Sequence, residues 1–270
     1  MVDSVKYYAC GYCVNHMKYI VKNPEEKKRK FYAGVYLIHH TKLGYILFDT
    51  GYSRLIYGCG LKGIIYRLLN PTYIKKEETI FEKLRREGIR PRQIHRIILS
   101  HLHPDHIGCT RAFDQAQFLV SAECMEQYRK GRTKDLIFEY LLPDDFEQRT
   151  KEIIFADEFG TDCDVSMISE MKKVGYDLAG DGSMWLVPLN GHAKGQMGLY
   201  LAESKILLAA DGAWGIEFLD RVDEMSVFAR MVQNNFGAYR DGFERLKKMR
   251  EEGIRICFSH EDMGGDKALL

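Results

Sequence analysis

Short apolar segments alternate with polar turns along most of this chain. Alternating or β-branched apolar residues predict strands at 6–15, 31–39, 45–48, 94–99, 117–120, 183–189, 198–201, 205–210 and 254–258. Helical periodicity predicts helices at 77–87, 122–130, 222–235 and 241–251, and a partly helical excursion at 53–75. Ser121 is expected to cap the helix that begins at Ala122. The pattern indicates a chain of mixed α and β structure.

Four of the predicted strands run directly into histidine or aspartate. The strand at 94–99 is followed by His101-Leu102-His103-Pro104-Asp105-His106, which holds three imidazoles and one carboxylate in six residues. Later strands deliver His192, Asp211 and His260. Imidazole and carboxylate are the groups that hold zinc and similar divalent ions, and α/β folds place their sites where strands end. We therefore predict that these side chains converge on a metal centre.

The candidate ligands divide into two groups. An extended backbone points His101 and His103 to the same side, and a remote histidine, assigned as His192, completes a three-nitrogen site with an open position. The other four candidates form a second site and a bridge between the two: Asp105, His106, His260 and the bridging Asp211. Two metal ions about 3.5–4 Å apart would share a hydroxide that serves as the nucleophile. Two zinc ions are expected, with iron or manganese as alternatives.

Composition and charge narrow the function classes. The 270 residues are 46% hydrophobic, enough for a large core, and 39 basic against 38 acidic residues give a net charge of +1. This balance gives no electrostatic reason to propose nucleic acid or a membrane as partner, so a small-molecule substrate is expected. We expect a cytoplasmic protein, because no export signal or membrane span is evident and seven scattered cysteines suit a reducing compartment. Cys10 and Cys13 are interpreted as buried thiols, and the sequence leaves the oligomeric state open.

The motifs around these ligands resemble the metallo-β-lactamase superfamily, whose signature H-x-H-x-D-H matches residues 101–106. Further matches are Phe48-Asp49-Thr50-Gly51, Gly191-His192, Ala210-Asp211-Gly212 and Ser259-His260. The resemblance runs from about residue 31 to residue 262. It implies a four-layer αβ/βα sandwich, with two mixed sheets flanked by helices and the metals at one edge between them. It also implies that Asp49 supports the metal-binding loops from behind the ligands.

Within the superfamily, residues 99–108, followed by 110–113 and 120–123, are most similar to the N-acyl homoserine lactonase branch. This implies a hydrolase that opens a lactone, with an acyl homoserine lactone as the candidate substrate. Two features depart from the branch. Trp214 stands where the lactonases have a tyrosine, and indole can donate a hydrogen bond but cannot act as an acid. The spacing from His106 to His192 (192 − 106 = 86 positions) is longer than expected for the lactonases.

The excess length falls in a polar segment at about 131–164, interpreted as an irregular or helical insertion that remodels the pocket. We expect one domain over residues 1–270, built from two pseudo-symmetric halves. Asp105 is a ligand and also a candidate proton donor to the leaving alkoxide. Apolar residues near the ligands in sequence are candidates for the pocket wall, with core packing as the alternative for at least half of them: Phe113, Met197, Trp214 and Phe218.

The same ligand set leaves other functions open. It also serves thioesterases of the hydroxyacylglutathione hydrolase type and phosphodiesterases, although no basic cluster near the C-terminus suits a glutathione tail. A di-iron redox protein is a hypothesis from another class, but that branch usually has glutamate where this chain has His103. A metal-free binding protein is disfavoured because all seven candidate ligands are present.

Overall fold

Two β-sheets form the centre of the molecule in a computed structural model that describes residues 1–156 and 166–270. Within these residues the strands are β1 (Val2–His16), β2 (Lys28–His40), β3 (Gly44–Phe48), β4 (Thr72–Tyr73), β5 (Ile94–Ile98), β6 (Gln117–Ser121), β7 (Thr150–Ile153), β8 (Tyr176–Asp177), β9 (Met184–Pro188), β10 (Met197–Leu201), β11 (Ile206–Ala210), β12 (Arg255–Phe258) and β13 (Lys267–Ala268). The helices are α1 (Gly60–Leu69), α2 (Ile80–Arg86), α3 (Pro104–Ile107), α4 (Ala122–Lys130), α5 (Met167–Val174), α6 (Val227–Met231) and α7 (Phe236–Glu251).

Both sheets are mixed. The first has the strand order β13-β1-β2-β3-β5-β6-β7, with β4 paired to β1, and its strands β3, β5, β6 and β7 run parallel to one another. The second has the order β12-β11-β10-β9-β8, in which β11 and β12 are parallel and the other pairs antiparallel. Parallel neighbours place their carboxyl ends at the same edge of a sheet, and several of the candidate ligands follow such strands.

Side-chain alternation along the strands separates the layers. In β2, Tyr36 and Ile38 face the second sheet and pack with residues such as Leu199, while Val35 and Leu37 face the other way. That outward face is covered by helices, including α2 and α4, through side chains such as Leu84 and Met125. On the second sheet, Leu207 packs outward against Phe243 of α7. The order helix, sheet, sheet, helix confirms the predicted four-layer αβ/βα sandwich.

The boundaries of some predicted helices differ from those observed. Helix α7 begins at Phe236 rather than at 241, because the Asn235 side chain accepts a hydrogen bond from the Ala238 N–H and caps it. The helix predicted at 222–235 contains only α6 as regular α-helix, with Ser226 as its cap. The prediction at 77–87 corresponds to α2, and α1 accounts for the helical part of the excursion at 53–75.

The segment predicted as an irregular insertion contains a strand of the first sheet. Residues Thr150–Ile153 form β7, which pairs in parallel with β6, so the prediction is wrong for these four residues. Only Ile153 of this strand is buried, because β7 lies at the end of the sheet order, and so short a polar stretch gives little apolar alternation to detect. Residues 157–165, the last part of the predicted insertion, lie outside the described residues. No helix in the described parts of the chain combines the length and apolar character needed to cross a bilayer.

Candidate metal centre

The candidate ligands follow the carboxyl ends of four strands. Strand β5 of the first sheet runs through Leu99 and Ser100 into the stretch 101–106, whose second part forms α3. Pro104 occupies the first turn of α3, where its missing N–H removes no helical hydrogen bond. In the second sheet, β9, β11 and β12 are followed by His192, Asp211 and His260. The structure brings all seven side chains together at the ends of these strands.

Three imidazoles form one group. Nδ1 of His103 lies 3.0 Å from Nε2 of His101 and 3.1 Å from Nε2 of His192. Burial lowers the pKa of His101 and of His103 well below the usual range, with the neighbouring imidazoles acting in the same direction. Neutral rings whose nitrogens point at one another cannot satisfy every lone pair by hydrogen bonding, because each contact needs one proton. These nitrogens therefore suit a shared cation.

Asp105, His106 and His260 form a second group whose ligand atoms lie close together. Oδ2 of Asp105 lies 3.8 Å from Nε2 of His106 and 3.7 Å from Nε2 of His260. Asp211 lies between the two groups: its Oδ2 is 2.9 Å from Nε2 of His260 and 3.3 Å from Nε2 of His192. Burial alone would raise the pKa of Asp211, but the surrounding histidines hold it well below its usual range. The carboxylate is thus placed to contact ions in both groups.

Two buried polar atoms in this cluster have no hydrogen-bond partner. They are Nε2 of His106 and Oδ1 of Asp211, which lie 3.3 Å apart without the geometry of a hydrogen bond. A buried polar atom left unpaired costs about 1–3 kcal/mol, and an ion bound between these two atoms would remove that cost. Nitrogen and carboxylate oxygen together suit zinc, iron or manganese. The residues fit a pair of divalent ions on both geometry and chemistry.

Asp49 holds His106 from the side opposite the cluster. It lies at the end of β3 and is fully buried. Its Oδ1 accepts a hydrogen bond from the Ser100 N–H at 2.8 Å, and its Oδ2 accepts from Ser100 Oγ at 2.8 Å and contacts Nδ1 of His106 at 2.7 Å. Burial alone would lower the pKa of His106, yet the carboxylates of Asp49, Asp211 and Asp105 hold it well above the usual range. The contact with Asp49 keeps one proton on Nδ1 and directs Nε2 toward the cluster, where a bound cation would replace the second proton of the ring.

Gln233 and the Tyr32 carbonyl support the remaining histidines, and sequence reasoning missed both. Oε1 of Gln233 lies 2.8 Å from Nδ1 of His192, and Nε2 of Gln233 donates to the Ala229 carbonyl at 2.8 Å. The carbonyl oxygen of Tyr32 lies 2.7 Å from Nδ1 of His260. Gln233 follows α6 and carries no motif, and a backbone carbonyl leaves no trace in side-chain patterns. Neither could be found from residue spacing.

Aromatic side chains border the cluster on one side. Trp214 is half-buried, and its ring centroid lies 6.3 Å from that of His192. Phe31, which sequence reasoning also missed, lies edge-on to both His260 at 6.1 Å and Trp214 at 6.5 Å. His103 is the partly exposed member of its histidine group, while His101 and His192 are buried. Trp214 therefore stays a candidate for the pocket wall.

The other pocket candidates belong to the core. Phe113 and Met197 are fully buried, the first under the helices of the first sheet and the second between the two sheets. Phe218 is buried in the outer core of the second sheet, beneath the Arg29 guanidinium. A side chain without accessible surface offers nothing to a substrate, so the pocket role predicted for these three is corrected to core packing.

Cysteine chemistry is not part of this centre. Cys10 and Cys13 are buried free thiols, as interpreted from the sequence. Burial raises the pKa of Cys13 to about 12, so its thiol stays protonated at neutral pH. The thiolate is the nucleophilic form of cysteine, and Cys13 is therefore not a nucleophile here.

The fold and the site together define a two-sheet sandwich with a candidate two-metal centre at the ends of its strands. The family model of the metallo-beta-lactamase superfamily matches residues 31–169, just over half of the chain. The chain belongs to this superfamily, as its motifs predict.

Proteins named as lactonases are among its relatives. N-acyl homoserine lactonase AiiB from Agrobacterium fabrum and from Rhizobium rhizogenes are each 35% identical to it over 89 residues, which is 33% of this chain and 32% of each relative. The match thus spans about a third of the length of these curated relatives. A Bacillus thuringiensis AiiA variant, solved with N-decanoyl-L-homoserine at its active site, aligns with a TM-score of 0.73 and 22% identity over 96% of this chain and 94% of that one. AidC, a dizinc quorum-quenching lactonase, aligns with a TM-score of 0.64 and 15% identity over 99% and 96%. At these identities the structural likeness shows the fold.

Proposed function

We propose that this protein is a dinuclear zinc hydrolase of the cytoplasm that opens a lactone or cleaves a related carboxylic ester. The observation that carries the proposal is the convergence of seven buried or half-buried side chains into two ligand groups with Asp211 between them. Two buried atoms in this cluster, Nε2 of His106 and Oδ1 of Asp211, have no hydrogen-bond partner among the described residues. A bound cation would satisfy both.

The chain's own residues would hold and orient the reacting groups. His101, His103 and His192 would bind one ion, and the second ion would be bound by Asp105, His106 and His260. Paired divalent ions supply a nucleophilic hydroxide near neutral pH and polarise the substrate carbonyl. Asp49 keeps the proton of His106 on Nδ1, and Gln233 accepts the proton on Nδ1 of His192, so both rings keep Nε2 free for binding.

We further propose that Asp105 carries a proton to the leaving alkoxide through its carboxylate. It is the acidic member of the second group, and about a tenth of its side chain is exposed, which gives substrate a path to it. Its oxygen lies within 4 Å of both His106 and His260. Protonation of the alkoxide needs an acidic side chain near the metal centre. Trp214, the residue at the position of the lactonase tyrosine, has an N–H donor but no acidic group.

A lactone is the proposed substrate class, with an acyl homoserine lactone as the first candidate. Support comes from the relatives named as N-acyl homoserine lactonases and from the half-buried Trp214 ring beside the polar cluster. Apolar walls with a few polar groups are typical of small-molecule pockets. The Trp214 ring would contact an acyl chain or the lactone ring.

A turnover panel tests the proposal. Purified protein is assayed on lactones, thioesters, phosphodiesters and β-lactams, with and without a chelator. We expect lactone opening that the chelator abolishes and added zinc restores. Turnover of phosphodiesters alone, or of thioesters alone, would replace the proposed substrate class. Metal analysis of the same sample separates a zinc hydrolase from a di-iron protein and from a metal-free one.

A further inference from the structure

Helix α1 turns its apolar stripe toward solvent. Leu61, Ile64, Ile65 and Leu68 stand at positions i, i+3, i+4 and i+7, which is one face of a helix. In a globular domain such a stripe normally packs on the core. Here Leu61 is 71% exposed, Ile64 47% and Leu68 75%, while only Gly63 and Tyr66 of the helix are buried. The apolar face of α1 is therefore unpaired within the described chain.

The segment around α1 carries an excess of basic side chains. Residues 51–76 contain five of them and no aspartate or glutamate: Arg54, Lys62, Arg67, Lys75 and Lys76. Glu77 and Glu78 follow directly, and Lys75 forms an ion pair with Glu78 at 3.4 Å, so Arg54, Lys62 and Arg67 carry the excess beside the helix. The net charge of +1 for the whole chain hides this local excess. A short amphipathic helix with exposed leucines and isoleucines on one face and cations beside them is the composition of helices that lie at a lipid–water interface.

Helix α6 carries a second exposed apolar surface. In α6, Val227 is 71% and Met231 77% exposed, and Phe228 of the same helix packs on the ring of Tyr19 at a centroid distance of 6.1 Å. Tyr19 follows the end of β1, where the Asn15 amide also donates to Asn70 at the end of α1 at 3.2 Å. The end of β1 and the turn after it thus contact the residue that follows α1 and a residue of α6.

Both helices also reach the candidate metal centre. The hydroxyl of Tyr66 in α1 lies 2.7 Å from that of Tyr52, which follows the Asp49 turn. Gln233, immediately beyond α6, contacts His192 at 2.8 Å. The exposed apolar surfaces are therefore carried by the elements that adjoin the site, which is where a molecule dissolved in a lipid layer would enter.

We propose that the α1 face binds reversibly to the surface of an anionic lipid bilayer. The large aliphatic side chains enter the boundary between headgroups and acyl chains, and the basic residues contact the anionic headgroups. A second copy of this chain fits the face less well. In a two-fold dimer the same surface meets itself, so the basic segments of the two chains would oppose each other.

Vesicle co-sedimentation tests this binding with the full-length protein. Vesicles of phosphatidylcholine alone are compared with vesicles of phosphatidylcholine mixed with phosphatidylserine, at low and high salt. We expect binding to the anionic vesicles that weakens at high salt, since charge attraction to the surface is screened there. Failure of the protein to bind anionic vesicles at low salt would overturn the proposal.

Two surface variants and a matched control locate the contact. Leu68→Gln is expected to weaken vesicle binding about tenfold, because a leucine that enters the acyl boundary contributes that much to partitioning. Lys62→Gln should weaken it about fivefold at low salt and have little effect at high salt. The control is Ile154→Gln, which replaces a 76% exposed isoleucine beyond β7 and should bind like wild type.

Folding and association are monitored alongside. All three side chains are exposed, so an unchanged melting temperature is expected. Equal binding by wild type and Leu68→Gln would overturn the assignment of the surface. A dimer in sedimentation equilibrium that Leu68→Gln dissociates would also overturn it, in favour of a second copy as the occupant.

Discussion

Replacing Asp49 by asparagine tests how one buried carboxylate controls the proton on His106. Its two oxygens face three donors: the Ser100 N–H, the Ser100 hydroxyl and Nδ1 of His106, at 2.8, 2.8 and 2.7 Å. Asparagine keeps the shape but has a single acceptor oxygen, and its NH₂ group can only donate. One of the two positions must then present an N–H to a donor.

Either orientation of the amide has a cost that the structure allows us to work out. If the amide oxygen stays toward the Ser100 N–H, its NH₂ faces His106, whose proton must move from Nδ1 to Nε2. Nε2 then has no lone pair for an ion, and loss of such a supporting contact typically weakens metal affinity about 10–100-fold, which is about 1.4–2.8 kcal/mol. If the amide turns over, its NH₂ opposes the buried Ser100 N–H, and that unpaired donor costs about 1–3 kcal/mol of folding stability.

The assay is a competitive titration of zinc against a chromogenic chelator, with the melting temperature measured on the same samples. Asp49→Asn should bind one ion with near wild-type affinity and the second, at the His106 group, at least tenfold more weakly, or else lose stability. Ser100→Ala is the matched control for the ion at the His106 group, because it removes one donor to Asp49 and leaves the contact between Asp49 and His106 intact. It also removes the 3.1 Å contact of Ser100 Oγ with Nδ1 of His101, so only the affinity of the ion at the His106 group is compared. Two ions bound with wild-type affinity in Asp49→Asn, at an unchanged melting temperature, would refute this account of the turn.

Three further substitutions probe the site and its surroundings. His103→Ala should lose bound metal and activity together, since Nδ1 of His103 lies within 3.1 Å of two other ring nitrogens; full activity would mean that the site is misassigned. Gln233→Leu should weaken metal binding about 10–100-fold in the same chelator titration, whereas Gln233→Glu keeps an acceptor for His192 and should retain it. Phe113→Ala should lower the free energy of unfolding by about 3–5 kcal/mol in urea denaturation and leave KM unchanged, because the ring is core; a raised KM would restore its pocket role.

The strands that carry the site could be predicted because their local signal is strong. Strand β11 is an unbroken run of five buried residues, and β5 is β-branched and mostly buried, so each is distinct from the polar turns around it. The ligands follow such strands directly, and the resemblance to the superfamily motifs implies which strand ends meet. Strand β7 gave no comparable signal, because three of its four side chains are at least partly exposed.

The parts that sequence reasoning missed depend on contacts between distant positions. Gln233 supports His192 from 41 positions away, and the Tyr32 carbonyl supports His260 from 228 positions away. The exposure of the apolar face of α1 could not be predicted from the sequence either. An apolar periodicity shows that a helix has one apolar face but not what that face contacts. Burial of Phe113 and Met197 similarly follows from the packing of layers rather than from closeness to ligands in the sequence.

In each sheet, a turn with a left-handed residue at the end of a strand places an aspartate side chain beside His106. Asp49, at the end of β3, has a φ of +63°, and Ala210, just before Asp211 at the end of β11, has a φ of +47°. Left-handed backbone costs a non-glycine residue about 1–2 kcal/mol, so other contacts must offset it. In each sheet a hydrogen bond joins the strained residue to the next parallel strand: the Asp49 N–H donates to the Ile98 carbonyl, and the Ser259 N–H donates to the Ala210 carbonyl.

These turns bring one aspartate from each sheet into contact with His106. Its Nδ1 lies 2.7 Å from Asp49, which belongs to the first sheet, and its Nε2 lies 3.3 Å from Asp211, which belongs to the second. The contact with Asp49 is a satisfied hydrogen bond, whereas the contact with Asp211 leaves both atoms unpaired. A cation placed between His106 and Asp211 would therefore join the sheets as well as bind substrate, so its removal should loosen the edge between them more than either sheet's interior. Hydrogen exchange in chelated protein should then rise at residues 101–106 and 211–212 before it rises in β5 or β11, and uniform exchange across both would contradict this reasoning.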